Sequence, residues 1–430
     1  MESPGIAMQK LYQLRFGELW TAFWREGLSF KVICFYLFLE YVRPQSAYAV
    51  LDVIPWAMVT LLVAMALLFL EKDRVSVSNP ENKLIVLFAL AILASSAFAY
   101  SPQVSFNKIY IFFTWVIIYF LIINIVNTPT RFFIFLGTYF LWNLKMSQHG
   151  FTVWVQNGFS FSSWGVGGAP GWFQNSGEFG IEMCMFFPLI AYFTISLWPH
   201  WGMLMRLFMM IVAATALGSI VASSSRGALV GIAGVFLWMV LKSKRRMAAL
   251  AIIAPLAIGL YMLVPEESMQ RLQSSGSDYT SQTRLKRWQD GLEILNNHPV
   301  LGVGYGNWLK YYRENYPPFE GAEPWGIPHN TFMDAAAELG YVGFAIFALM
   351  IVYIFVNNYR TRKIALQSGN TFIYYMGHAM DASMVGFLIS GFFISALYYP
   401  FIWISMAFTV SLNNVAAMPD VAQQPANVGT

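Results

Sequence analysis

Apolar runs long enough to cross a lipid bilayer recur along this 430-residue chain, and they limit its fold more than any other feature. A hydrocarbon core of about 30 Å takes roughly 20 residues of α-helix. The stretches 84–98 and 109–126 stay apolar without alternation. The strands of a membrane barrel would alternate apolar with polar residues, so spanning helices are expected. Composition agrees: 57% of the chain is apolar and 11% charged, against about 25% charged in soluble domains. The mean hydropathy is +0.53. The expected fold class is all-α and polytopic.

Hydropathy predicts roughly twelve spans, near 29–43, 54–70, 84–99, 108–126, 132–146, 179–197, 207–222, 226–241, 247–264, 330–356, 372–396 and 401–417. This divides the chain into membrane helices over 1–264, a large helical loop at 265–328, further membrane helices over 329–417 and a polar tail at 418–430. A shorter connection falls at 147–178. Over 8–26, Leu11, Leu14, Leu19, Phe23 and Trp24 mix with Lys10, Arg15, Glu18 and Arg25. That pattern suits an amphipathic helix on the membrane surface, or a first turn leading into a span. No cleaved signal peptide is expected, because no short apolar core ends in a small-residue cleavage site. Cys34 and Cys184 both sit in apolar stretches and form no disulfide framework or zinc spacing.

Orientation follows from Lys and Arg in the short connections. One alternating set holds Lys72, Arg74 and Lys83, then Arg131, Arg206, Lys242, Lys244, Arg245 and Arg246, and finally Arg360, Arg362 and Lys363. The other short connections are nearly free of positive charge. The basic set is therefore expected in the cytoplasm with both termini, and the two long connections on the opposite side. The large loop carries nearly balanced charge, including Glu266, Glu267, Asp278, Asp290, Glu320 and Glu323 against Arg271, Arg284, Lys286 and Arg287. That balance argues against a nucleic-acid surface. The loop is large enough to fold on its own against the membrane. Within it, 282–296 has helical character and ends at Asn297-His298-Pro299, before a Gly-rich turn.

Four features can carry chemistry. Ser223-Ser224-Ser225-Arg226-Gly227 lies between two apolar spans on the outer side. A guanidinium so close to lipid needs a partner, and its planar fork suits phosphate oxygens. The alternative is an interfacial Arg snorkelling to water. In Thr283-Arg284-Leu285-Lys286-Arg287-Trp288, Arg284 and Arg287 share a helix face. Two guanidiniums there can neutralise a diphosphate or dock on anionic headgroups. Pro328-His329-Asn330-Thr331 opens a span, followed by Asp334 and Glu338. A histidine so placed titrates near neutral pH and can act as a base, or it can be structural. His149, His200, His298 and His378 are weaker candidates, with His298 expected in a turn. Fourth, the Gly-rich, aromatic stretch 158–180 ends in Phe173-Gln174-Asn175-Ser176-Gly177-Glu178. Glu178 and Glu182, one turn apart atop a span, are functional suspects or neutralise Arg226.

Two motifs fail. Gly302-Val303-Gly304-Tyr305-Gly306 lacks the spacing, strand and helix of a dinucleotide site, and reads as a tight turn that can aim backbone N–H groups inward. No His/Cys/Asp cluster fits a metal. The residues point to chemistry on a lipid-linked anion without metal or cofactor.

The ordered set resembles the O-antigen ligase and O-antigen polymerase superfamily. Its elements are Ser-Ser-Arg-Gly at 224–227, Thr283-Arg284 with Trp288, His298-Pro299 with the Gly-rich turn, and His329-Asn330 with Glu338-Leu339-Gly340. Gln174-Asn175 with Gly177, leading into a span that ends at Pro188, is similar to the family's earlier loop. The resemblance implies a GT-C-type membrane glycosyltransferase in the bacterial inner membrane, with its active site facing the periplasm. Such an enzyme passes a glycan from undecaprenyl diphosphate to an acceptor hydroxyl, for a ligase that of lipid A–core. By the same resemblance Arg226 and Arg284 hold the donor and His329 is the catalytic base. Arg287 joins them by proximity, with Ser225, Asn330, Gln174 and Glu178 as further substrate contacts. Tyr41-Val42-Arg43-Pro44-Gln45 resembles ligase-like proteins of exosortase systems. That departs from the enteric ligases and leaves the acceptor open among lipid A–core, a growing chain and a protein Ser/Thr. A glycan transporter would show internal repeats and midplane charges. Here the notable charges gather at one interface.

Overall fold

Bilayer solvation leaves the backbone no partners but itself, and the structure obeys that limit. In the computed structural model, which describes residues 4–71, 76–159, 165–264, 278–317 and 326–418 with isolated positions between 269 and 276, every described regular element is helical. Six described helices are long and apolar enough to cross a membrane: Pro80–Ala97, Pro102–Ile125, Ser176–His200, Met203–Ala222, Arg246–Leu263 and Thr331–Ser368. Helices also occupy the other expected spans, at Leu28–Tyr41, Trp56–Leu70, Pro129–Gln156, Arg226–Lys242, Thr371–Ser390 and Pro400–Ala416. The chain is an all-α polytopic membrane protein.

Helix starts use a recurring device. Proline stands in the first turn at Pro80, Pro102, Pro129 and Pro400, where its missing N–H costs nothing. Side-chain caps precede several starts: Asn79 accepts from the Glu81 N–H at 3.0 Å and Thr128 from the Arg131 N–H at 3.2 Å. Ser176–Leu197 forms the buried axis of the bundle, packed by Met203–Ala222, Arg226–Lys242 and Thr371–Ser390. Arg246–Leu263 lies at the periphery and buries no residue.

The structure redraws three boundaries. The surface stretch is two helices, Pro4–Tyr12 and Phe16–Arg25, broken where Leu14 takes φ +53°. The second exposes Phe16, Trp20 and Trp24 in a row, as an interfacial helix does. Pro129–Gln156 runs past the expected end of its span, so the first long connection shrinks to 157–175. The large loop holds the helices Tyr279–Asn297 and Trp308–Asn315. Their small core of Ile294, Val303, Trp308, Tyr311 and Tyr312 is closed by Ala337 of the next membrane helix, so bundle and loop share it.

At the opposite end, Arg131 pairs with Glu26 at 2.7 Å and Arg362 with Asp381 at 2.5 Å. Lys72, Arg74, Glu266, Glu267, Arg271, Glu320, Glu323 and the tail from 419 lie outside the described residues.

Candidate active site

The Ser223–Arg226 turn is held by the Gly-rich stretch before it. The Val166 N–H donates to the Ala222 carbonyl at 2.8 Å. Gly165, at φ +73°, lies so close that a Cβ would stand 2.1 Å from the Ser223 carbonyl oxygen. Ser224 itself takes φ +51°. Ser225 then caps Arg226–Lys242, its Oγ accepting from the Ala228 N–H at 3.3 Å. Its observed role is thus to start the helix that presents Arg226.

Arg226 reaches into the loop. Its Nη1 donates to Asp278 Oδ2 at 2.8 Å and to Ser281 Oγ at 3.3 Å, and its Nη2 meets Asp278 Oδ1 at 3.5 Å. The carboxylate facing Arg226 is therefore Asp278, and the reading that Glu178 or Glu182 neutralises it is corrected. Glu182 instead accepts from the Tyr139 hydroxyl at 2.7 Å, deep in the bundle. Glu178 is buried and takes a long contact from Asn175 Nδ2, at 3.4 Å. Gln174 is exposed on the same connection.

Asp278 also caps Tyr279–Asn297, accepting from the Ser281 N–H at 3.0 Å. Burial alone would raise its carboxyl, but hydrogen bonds from Arg226 and Ser281 outweigh that and hold it well below the usual carboxylate range. One turn beyond Ser281, Arg284 has a buried Nε without a hydrogen-bond partner among the described residues. Its guanidinium is pulled down to about 10, first by burial and then by the charge of Arg226, with Asp278 opposing and Arg287 adding. Arg287 donates to the Ile327 carbonyl at 3.3 Å and Trp288 to that of Pro328 at 2.9 Å. Gly326 lies against the Arg287 guanidinium, where a Cβ would stand 1.8 Å from its Cζ. The loop helix therefore grips the segment 326–328 that leads into His329.

His329 takes φ +49°, an uncommon backbone state for a residue with a side chain. Burial, then the charges of Arg284 and Arg287, bring its imidazole down to about 4, so it is neutral at pH 7. Asn330 caps Thr331–Ser368, its Oδ1 accepting from the N–H groups of Phe332 at 3.0 Å and Met333 at 3.1 Å. That is a structural task, which fixes where His329 leaves the helix.

Glu338 is a clamp. Its carboxylate accepts from the Gly306 N–H at 2.9 Å, the Trp308 N–H at 3.0 Å and the Tyr398 hydroxyl at 3.0 Å. The Gly-rich turn thus aims its last N–H, that of Gly306, at this carboxylate. His298 is structural too, with Nε2 3.1 Å from the Tyr311 hydroxyl. Sequence reasoning missed Asp278 and Ser281 as partners of Arg226. It also missed the serines that pin the loop to the bundle: Ser95 Oγ donates to the Leu301 carbonyl at 2.9 Å and Ser105 Oγ to that of Tyr305 at 2.7 Å. The spacing of serines at 95, 101 and 105 around a helix end was the available signal.

Where loop and bundle meet, the charges of Arg284 and Arg287 act on a neutral imidazole, and that of Arg226 acts on Arg284. The arrangement can bind a multiply charged anion and accept a proton next to it. Comparison with known proteins finds likenesses over the same stretch of chain. A sequence profile of the family described as O-antigen ligase matches residues 209–348. An O-antigen ligase of Pseudomonas aeruginosa is 28% identical over 148 residues, 34% of this chain and 33% of that protein. The exopolysaccharide production protein ExoQ of Rhizobium meliloti is 32% identical over 89 residues, 20% of each. The chain thus spans a third or less of the length of these curated relatives. Arg226, Asp278, Arg284, Arg287, His329 and Glu338 all fall within the matched stretch. Residues 209–348 are therefore similar to the O-antigen ligase family, the superfamily relationship that the ordered motifs lead one to expect.

Proposed function

We propose that this chain is a GT-C-type glycosyltransferase of the bacterial inner membrane. It moves a glycan from undecaprenyl diphosphate to a sugar hydroxyl of lipid A–core on the periplasmic face. The observation that carries this reading is how the loop helix joins arginines and histidine: Arg226 meets its cap Asp278 at 2.8 Å, and Arg287 and Trp288 hold the carbonyls of Ile327 and Pro328 just before His329, at 3.3 and 2.9 Å. The arginines hold the diphosphate while the polyprenyl tail stays in lipid. As the anomeric C–O bond breaks, they stabilise the charge that collects on the leaving phosphate. His329 takes the proton of the acceptor hydroxyl, whose oxygen attacks the anomeric carbon from the opposite face and inverts it. The same arginines depress the base while the site is empty. A bound diphosphate offsets their charge, so His329 gains basicity when the donor is in place.

A second reading has its own support. The likeness to ExoQ, an exopolysaccharide production protein, favours a growing chain as acceptor, which would make the protein a polymerase. One assay separates the two. Purified protein is incubated with undecaprenyl-diphosphate glycan, with and without lipid A–core, and no nucleotide is added. Transfer to lipid A–core supports the ligase, and a ladder on the donor alone supports the polymerase. His329→Ala should abolish either product. Full activity of that variant would remove His329 as the base.

A further inference from the structure

Arg226 already grips a carboxylate. Both its terminal nitrogens face the two oxygens of Asp278, at 2.8 and 3.5 Å, the fork geometry by which arginine also takes a phosphate. Ser281 strengthens the contact, its Oγ donating to Asp278 Oδ2 at 2.6 Å. The pair is not sealed: the two side chains keep 20% and 24% of their surface exposed, so an incoming anion can reach it. Asp278 is moreover the N-cap of the helix that carries Arg284 and Arg287. Whatever replaces it on Arg226 must therefore act at the start of that helix.

We propose that Asp278 is an exchange ligand, occupying Arg226 while the donor site is empty, yielding to the diphosphate, and returning when the product leaves. This rests on the reading that Arg226 and Arg284 hold the donor diphosphate. After transfer, undecaprenyl diphosphate keeps its charge and its arginine contacts, so release is the step that needs help. A partly buried arginine stripped of its anion is costly, and Asp278 supplies the replacement. Its carboxylate competes with substrate and product alike. Asp278 is thus a positioning residue that sets affinity and release.

The test measures binding of undecaprenyl diphosphate itself to the purified full-length chain in detergent, together with donor kinetics. Asp278→Asn and Asp278→Ser remove the charge while both keep a good helix cap. Each should bind the probe about tenfold more tightly, the scale expected of one charge-assisted contact. The donor KM should fall with no rise in kcat. If either variant binds no more tightly than the wild type, Asp278 only orients Arg226 or caps its helix, and the proposal is overturned. Arg226→Ala and Arg284→Ala run in parallel. If they bind the probe like the wild type, the diphosphate reading itself fails, whatever the Asp278 variants do.

Discussion

A proton on His329 would be buried beside two guanidiniums, and this sets the direction of its pH dependence. Its imidazole lies near about 4 in the donor-free chain, below the ordinary value of about 6.5. As the proposed base His329 would work deprotonated, so activity should fall as pH drops through that value. The profile of kcat/KM for the donor reports free enzyme and should stay level from neutrality down to about pH 5. That of kcat reports the loaded enzyme and should lose activity at higher pH, because the bound diphosphate offsets Arg284 and Arg287. Arg287→Gln should move the kcat/KM limb upward. Equal midpoints for kcat and kcat/KM, together with an unmoved limb in the glutamine variant, would remove the coupling. His329 and its arginines were legible as candidates because an imidazole and guanidiniums near lipid are rare and need a reason. Asp278 was not, since it meets Arg226 across 52 residues and looks like any other acidic loop residue.

The helix Thr331–Ser368 is broken at Gly340, which takes φ +64° and ψ −170°. The break gives the Gly-rich turn its docking place: the Val303 N–H donates to the Ala337 carbonyl at 2.9 Å and the Gly304 N–H to that of Glu338 at 3.0 Å. A Cβ on Gly340 would stand 2.4 Å from the Val300 carbonyl oxygen in a conformation that disfavours any side chain. Glu338→Ala would leave the N–H groups of Gly306 and Trp308 unpaired, at about 1–3 kcal/mol for each buried group. Both Glu338→Ala and Gly340→Ala should melt at lower temperature in detergent, and limited proteolysis should cut the loop before the bundle. Wild-type melting and loop protection in both would show that this clamp does not hold the loop. The element itself was plain from its apolar run, because lipid accepts few alternatives to a helix. The break was not, since Glu338-Leu339-Gly340 reads as a continuous helix until the turn that packs on it is known. Leu14 breaks the surface helix equally silently, having the side chain of a good helix former.

The loop's core is completed by a membrane helix, and its serine anchors come from the adjoining ends of two others, so loop and bundle form one folding unit. Such a loop must lie on the side of the membrane where its substrates are presented. From charge, that side is expected opposite the run Lys242, Lys244, Arg245 and Arg246, since positive residues favour the cytoplasm. Cysteine labelling checks it directly. The native Cys34 and Cys184 are both buried, so a membrane-impermeant maleimide should give little background. Leu292 is 54% exposed on the loop helix, and Arg245 is exposed within the basic run. In spheroplasts, Leu292→Cys should label while the cells are intact, and Arg245→Cys only after lysis. The opposite pattern would put the loop in the cytoplasm. Arg226, Arg284 and His329 would then face nucleotide-activated sugars instead of donors already flipped outward, and the transfer from undecaprenyl diphosphate on the periplasmic face would have to be abandoned.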